Sequence, residues 1–150
     1  MSDSFDTSSL IRLKESYPED VFPTVWKLLD GELRAGQALV SEEVIAELSV
    51  GTDGLDKRIK SISGCVIKTD SKIEKHVLAI AKSHPGLVDI KRQKSLGDPY
   101  VIAVALEYGA GVVTEESDKP NRIKIPHVCQ HYGTSCEKLL GYMRQQKWTF

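Results

Sequence analysis

The sequence predicts an α/β protein, a three-layer α/β/α domain around a central parallel sheet. Three observations carry that expectation. Short apolar segments at residues 4–6, 38–40 and 112–114 alternate with longer stretches of helical periodicity. Each short segment runs directly into hydroxyls or acids: Asp6-Thr7-Ser8, Ser41-Glu42-Glu43 and Thr114-Glu115-Glu116. The stretch 100–108 is apolar almost all round, which suits a helix buried against a sheet.

Taken in order, residues 4–6 read as a strand and Leu10 to Lys14 as the helix after it. Pro23 opens a second helix, with Val25, Leu28, Leu29 and Leu33 at helical spacing and Gly36 as its terminator. After the strand at 38–40, Ser41 is a good N-cap, and Glu42 and Glu43 suit the positive end of the helix dipole. Further helices are expected at 55–62 and 71–81, with an extended or strand-like piece at 87–89. Asp98 and Pro99 read as N-cap and N1 of the buried helix. Residues 123–125 read as extended, Pro126 opens a helix ended by Gly133, and a strand near 134–136 precedes a closing helix at 137–146.

One hundred and fifty residues, 41% apolar and 27% charged, suit one globular domain spanning 1–150 rather than a disordered chain. The net charge of −1 gives no overall basic signature for nucleic acid. Local clusters at Lys57, Arg58, Lys60 and at Lys91, Arg92, Lys94 still offer phosphate contacts. No signal peptide is expected, and no apolar run approaches the roughly 20 residues that span a bilayer. Three cysteines in no repeated spacing argue against a disulfide framework, so the expected home is the reducing cytoplasm, with no membrane partner.

The acids at the segment ends are the chemical signal. Mg²⁺ and Mn²⁺ take oxygen ligands, so a few carboxylates gathered around one cavity suffice to hold one. Asp6 has the best individual case, since an acid ending an apolar strand has few structural uses. Asp98 serves equally as a helix cap. Glu47 borders an apolar helical stripe and reads either as a surface acid or as a ligand. His127 and His131 stand four residues apart on one predicted helix, but Cys129 points away from their face and no second ligand pair follows. A capping or surface role is therefore expected for both histidines. No phosphate-cradling glycine loop is present at residues 51–54, and no nucleophile elbow occurs.

The order "strand-Asp6-Thr7-Ser8-Ser9-Leu10-Ile11", an acid-bearing helix, "Gly97-Asp98-Pro99-Tyr100" and "Gly111-Val112-Val113-Thr114-Glu115-Glu116" resembles PIN-domain nucleases over nearly the whole chain. The resemblance extends to a PIN-like family of bacterial and archaeal proteins that shares the late Lys124-Ile125-Pro126-His127-Val128-Cys129 segment and the aromatic carboxyl end. It implies a metal-dependent endoribonuclease in which Asp6, Glu47, Asp98 and Glu116 hold Mg²⁺ or Mn²⁺. PIN domains usually carry aspartate at the fourth position, and here Glu115 or Asp118 competes with Glu116 for it. Thr7, Ser8 and Thr114 are the candidates for supporting hydrogen bonds to the ligand carboxylates, and with Asp98 as a ligand, Lys94 four residues before it, together with Arg92, is the candidate to meet the substrate phosphate. Small PIN proteins are commonly toxins of toxin–antitoxin pairs and commonly dimerise. The implied partners are therefore RNA, a small antitoxin protein and a second copy of the chain. The alternative is a catalytically silent PIN-like module that binds RNA or a protein partner. A response-regulator-like acidic pocket fits less well, because no suitably placed lysine follows a late strand.

Overall fold

Residues 2–51, 54–92 and 95–150 are described by the computed structural model. Its centre is β1 (Asp3–Phe5), a three-residue strand buried along its whole length. β2 (Ala38–Ser41) lies on one side of β1 and β4 (Gly111–Val113) on the other, both parallel to it. Outside these run β3 (Val66–Ile67) and β5 (Cys136–Glu137), giving the order β3-β2-β1-β4-β5 with every pairing parallel. Such a sheet is covered on both faces, which is why its inner strands read as continuous apolar runs rather than alternating ones.

Eight helices flank the sheet among the described residues: α1 (Thr7–Ser16), α2 (Pro23–Arg34), α3 (Glu42–Leu48), α4 (Leu55–Lys60), α5 (Ser71–Ser83), α6 (Asp98–Tyr108), α7 (Ile125–Tyr132) and α8 (Leu139–Gln145). Two neighbours in β1 show the layering. The Ser4 hydroxyl donates to the Val101 carbonyl of α6 at 2.8 Å, whereas the Phe5 ring meets the Tyr142 ring of α8 edge-on at 4.9 Å. Successive strand side chains point to opposite faces, so α6 and α8 cover opposite sides of the sheet. α6 has no polar face because α5, β1, β2, β4 and α7 surround it, and Val101 through Ala105 are all buried.

Four local expectations differ from the structure. The edge strand β3 was not anticipated; two residues are too few to show a periodicity. Leu87 belongs to a 3-10 turn over Pro85–Leu87, so of the extended piece expected at 87–89 only Val88 and Asp89 are extended or bridged. Ile125 is already helical, with extended Lys124 as the cap of α7. Glu137 belongs to β5, so the closing helix begins at Leu139. Among the described residues no helix is long and apolar enough to cross a membrane.

Sheet order fixes where a ligand would sit. Strands proceed from β1 through β2 to β3 in one direction, then the chain returns to β4 and β5 on the other side. In open α/β sheets the crevice beyond the carboxyl ends of the two strands at such a reversal is the natural binding place. Here those strands are β1 and β4, followed by Asp6 and by Thr114-Glu115-Glu116.

Candidate metal centre

Asp6 follows β1 at the position that caps α1, yet its side chain makes no cap hydrogen bond. Its main chain does that work: the carbonyl accepts from the Ser9 and Leu10 N–H groups and from the Ser9 hydroxyl at 2.7 Å. The carboxylate is turned instead toward β4. Oδ2 accepts from the Ser8 hydroxyl at 2.7 Å and from the Thr114 hydroxyl at 2.8 Å. Both donors meet the same oxygen, which leaves Oδ1 for another partner. Ser8 and Thr114 are themselves held, accepting from the Glu115 and Glu116 N–H groups at 3.0 and 3.1 Å. One small network thus locks the end of β1 to the end of β4.

Asp98 arrives from α6. The expectation that it caps this helix is corrected by the backbone: Gly97 occupies the cap position, Asp98 is the first helical residue, and no side-chain cap bond forms. The turn before it is closed by the Asp98 N–H donating to the Ser95 carbonyl at 3.2 Å. Freed from capping, the carboxylate is buried with 7% exposure. Gly97 has a separate reason to be glycine. The Glu47 carboxylate occupies the space where a Cβ would project, so any larger residue would displace it.

Glu116 comes from the segment after β4 and completes the group. One oxygen each from Asp6, Asp98 and Glu116 lie within 4.8 Å of one another, the only such set among the described residues. Two of the oxygens here, Asp98 Oδ2 and Glu116 Oε2, are buried without a hydrogen-bond partner. Burial, then the charges of Asp6, Glu116 and Glu47, push the Asp98 carboxyl up to about 9. Glu116 is raised as well, by burial first and then by Asp6, while Lys124 opposes the shift. Lys124 Nζ stands 3.7 Å from Glu116 Oε1. Buried, unpartnered carboxylate oxygens facing one another are costly unless protons or a cation intervene. A hard divalent ion fits this donor set.

The other sequence-predicted residues fall around this core. Glu47 lies at its rim, outside the convergent set, where it accepts from the Thr7 hydroxyl at 2.9 Å. Burial raises its carboxyl and Asp6 adds to the effect, so Glu47 senses the cluster without joining it. Of the three competitors for the fourth acid, Glu116 is the one drawn in. Glu115 turns away to accept from the Leu139 N–H at 2.9 Å, capping α8, and Asp118 is exposed. Glu42 accepts from the Thr69 N–H at 2.8 Å instead of facing solvent freely.

Among the basic candidates, Lys94 lies outside the described residues. Arg92 is exposed and lines a groove of about 530 Å³ together with Asp89, Ser95, Asn121, Arg122 and Lys124. In the earlier basic cluster two of the three cations face acids of the chain. Arg58 is committed to Glu19 and Asp30 at 2.8 and 2.9 Å and stacks over Trp26, and Lys60 faces Asp56. Sequence reasoning names neither Arg122 nor Lys124 as a phosphate contact; Lys124 enters it only within the extended piece at 123–125 and the Lys124–Cys129 segment.

A family model described as Domain of unknown function (DUF4411) matches residues 4–150. No curated protein matches the sequence.

Proposed function

The chain belongs to the family described as Domain of unknown function (DUF4411), and we propose that it hydrolyses RNA phosphodiester bonds with Mg²⁺ or Mn²⁺ held by Asp6, Asp98 and Glu116. The observation that carries this reading is the convergence of three acids at the reversal point of a parallel sheet, two of which, Asp98 and Glu116, keep a buried oxygen without a hydrogen-bond partner. A bound divalent cation supplies Lewis-acid polarisation of a phosphoryl group and activation of water. The protein's own part is positioning. Ser8 and Thr114 fix the Asp6 carboxylate, α6 delivers Asp98 in a dry wall, and Glu47 adds negative charge at the rim.

Basic side chains flank the acids on two sides. The groove with Arg92, Arg122 and Lys124 reaches them through Lys124 and Ser95. A second cavity of about 500 Å³, which Glu116 itself lines, carries Lys138 and Arg144. A single strand lying across both would place a phosphodiester over the cluster and meet cations before and after it. The ordered motifs that resemble PIN domains support the same chemistry. We extend the reading to a cytoplasmic toxin ribonuclease neutralised by a small antitoxin protein, a role in keeping with three cysteines present as thiols.

One observation favours the alternative, a silent module binding RNA or a protein. The Lys124 ammonium already faces Glu116 and offsets part of the cluster's charge. Incubating RNA with the chain in Mg²⁺, Mn²⁺ or chelator separates the two. Hydrolysis predicts cleavage that needs a cation and disappears in Asp6→Asn and Asp98→Asn while both variants stay folded. Cleavage that persists in both variants, or none in the wild type with either cation, refutes it.

A further inference from the structure

Two thiols face each other at the wall of the cavity that Glu116 lines. β5 is held in the sheet by β4: the Val112 N–H donates to the Ser135 carbonyl and the Thr114 N–H to the Glu137 carbonyl, each at 2.9 Å. Side chains of successive strand residues leave a sheet on opposite faces. The Glu137 carboxylate lies against Gly141 of α8, in the space that a Cβ would fill there. Cys136, its neighbour in β5, is therefore turned to the other face, the one that α6 and α7 cover. On α7, Cys129 is buried with 1% exposure. The chain between the two cysteines is folded back tightly, since the Thr134 N–H donates to the Cys129 carbonyl at 2.9 Å. Helix, turn and strand thus bring the sulfurs together, and a hydrogen bond between the thiols is the largest cause that lowers Cys136 and raises Cys129.

The pair is unequal in a way that suits redox chemistry. Cys136 is half-buried and lines the cavity of about 500 Å³ that also carries Lys138 and Arg144, whereas Cys129 is sealed in the core. A partly exposed thiol that shares its cavity with cations and has a second thiol in reach is open to selective, reversible oxidation. Burial and the charges of Glu137, Glu116 and Asp6 all oppose ionisation of Cys136, so its partner thiol is what favours the thiolate. Cys65 is the contrast within the same chain. It is fully buried, its sulfur donates to the Ile59 and Ile62 carbonyls at 3.5 and 3.4 Å, and burial pushes its thiol up.

We propose that Cys129 and Cys136 are a redox-active pair that hydrogen peroxide converts to a disulfide. The Cys136 thiolate attacks one peroxide oxygen and the O–O bond breaks. Cys136 becomes a sulfenic acid, and the departing hydroxide takes up the proton the thiol released to become water. The Cys129 sulfur then attacks that of Cys136, the S–O bond breaks, and the hydroxyl leaves as a second water with the Cys129 proton. The two sulfurs give up two electrons and the peroxide accepts them, and a dithiol reductant reverses the exchange. The new bond ties α7 to β5 beside Glu116, and it forms whether or not the acid cluster hydrolyses RNA.

Treating the native, tag-free chain with hydrogen peroxide and mapping its peptides without reductant tests this. The wild type should lose two of its three free thiols, gain a Cys129–Cys136 link with Cys65 left as a thiol, and regain all three with dithiothreitol. Cys129→Ala should leave Cys136 as a sulfenic acid that dimedone traps, and Cys136→Ala should leave Cys129 unmodified under the same treatment. A wild type that keeps all three thiols overturns the proposal. So does one that loses them through Cys65, through links between chains or by overoxidation without the Cys129–Cys136 bond.

Discussion

The starts of α5 and α6 form an instructive pair. At α5, Asp70 sits in the cap position and accepts from the Ile73 N–H at 2.9 Å, as the sequence around a helix start usually arranges. Ser41 does the same for α3, accepting from the Val44 N–H at 3.2 Å. At α6 the acid that resembles a cap, Asp98, is one residue too far along and makes no cap bond. Asp6 at α1 holds the cap position and still turns its carboxylate elsewhere. Asp70 and Ser41, which contribute no oxygen to the acid cluster, stabilise their helices. Beyond the ends of β1 and β4, Asp6 and Asp98 are withheld from that task and buried against each other. Withheld capping is how the fold concentrates charge where it raises carboxyl pKa values, a common mark of functional sites.

The comparison can be sharpened by variants on either side of it. Outside the three acids themselves, the largest effect is expected at Thr114, whose hydroxyl fixes Asp6 and accepts from the Glu116 N–H. Thr114→Val should lower cation affinity and RNA cleavage by about 10–100-fold, the usual cost of losing such a supporting partner. Thr114→Ser should restore most of both, which a simple packing role for the threonine methyl would not allow.

Asp98→Asn, which removes a ligand, should also change stability. The folded Asp98 carboxyl is raised to about 9, above its unfolded value, so its contribution to stability is fully present in acid and is lost as pH rises toward 9. Without divalent cation, wild-type stability should therefore decline with rising pH through this interval. Asp98→Asn should flatten the decline and add about 1–2 kcal/mol near pH 8, a gain typical of relieving a strained functional site. Urea denaturation at several pH values reads this directly. Asp70→Ala, on the capping side, should cost only about 1 kcal/mol, or about 2–4 °C in Tm. It should leave cleavage unchanged.

Much of the site was legible because parallel α/β topology sends strand ends to a common crevice, and strand ends can be read from apolar runs. Asp6 and Glu116 follow such runs directly. Asp98 was legible as a member but misread as a cap, since Asp-Pro suits N-cap and N1 equally well. The structure instead puts Gly97 at the cap, where the Glu47 carboxylate, fifty positions away in sequence, leaves no room for a Cβ. Glu47 was expected among the ligands, and the structure leaves it at the rim, where its carboxylate accepts from the Thr7 hydroxyl. Lys124 stands in a segment singled out only for its resemblance, and nothing local marks it as the partner of Glu116, eight residues earlier. The strand β3 was invisible for a different reason, since two residues carry no pattern.

The claim that acids withheld from capping form a cation site is met most directly by Mn²⁺ binding followed by electron paramagnetic resonance. Wild type is predicted to bind one Mn²⁺ at the cluster, with that binding lost in both Asp6→Asn and Asp98→Asn and intact in Asp70→Ala. Mn²⁺ binding of equal strength in wild type, Asp6→Asn and Asp98→Asn, or no binding in the wild type, would contradict it.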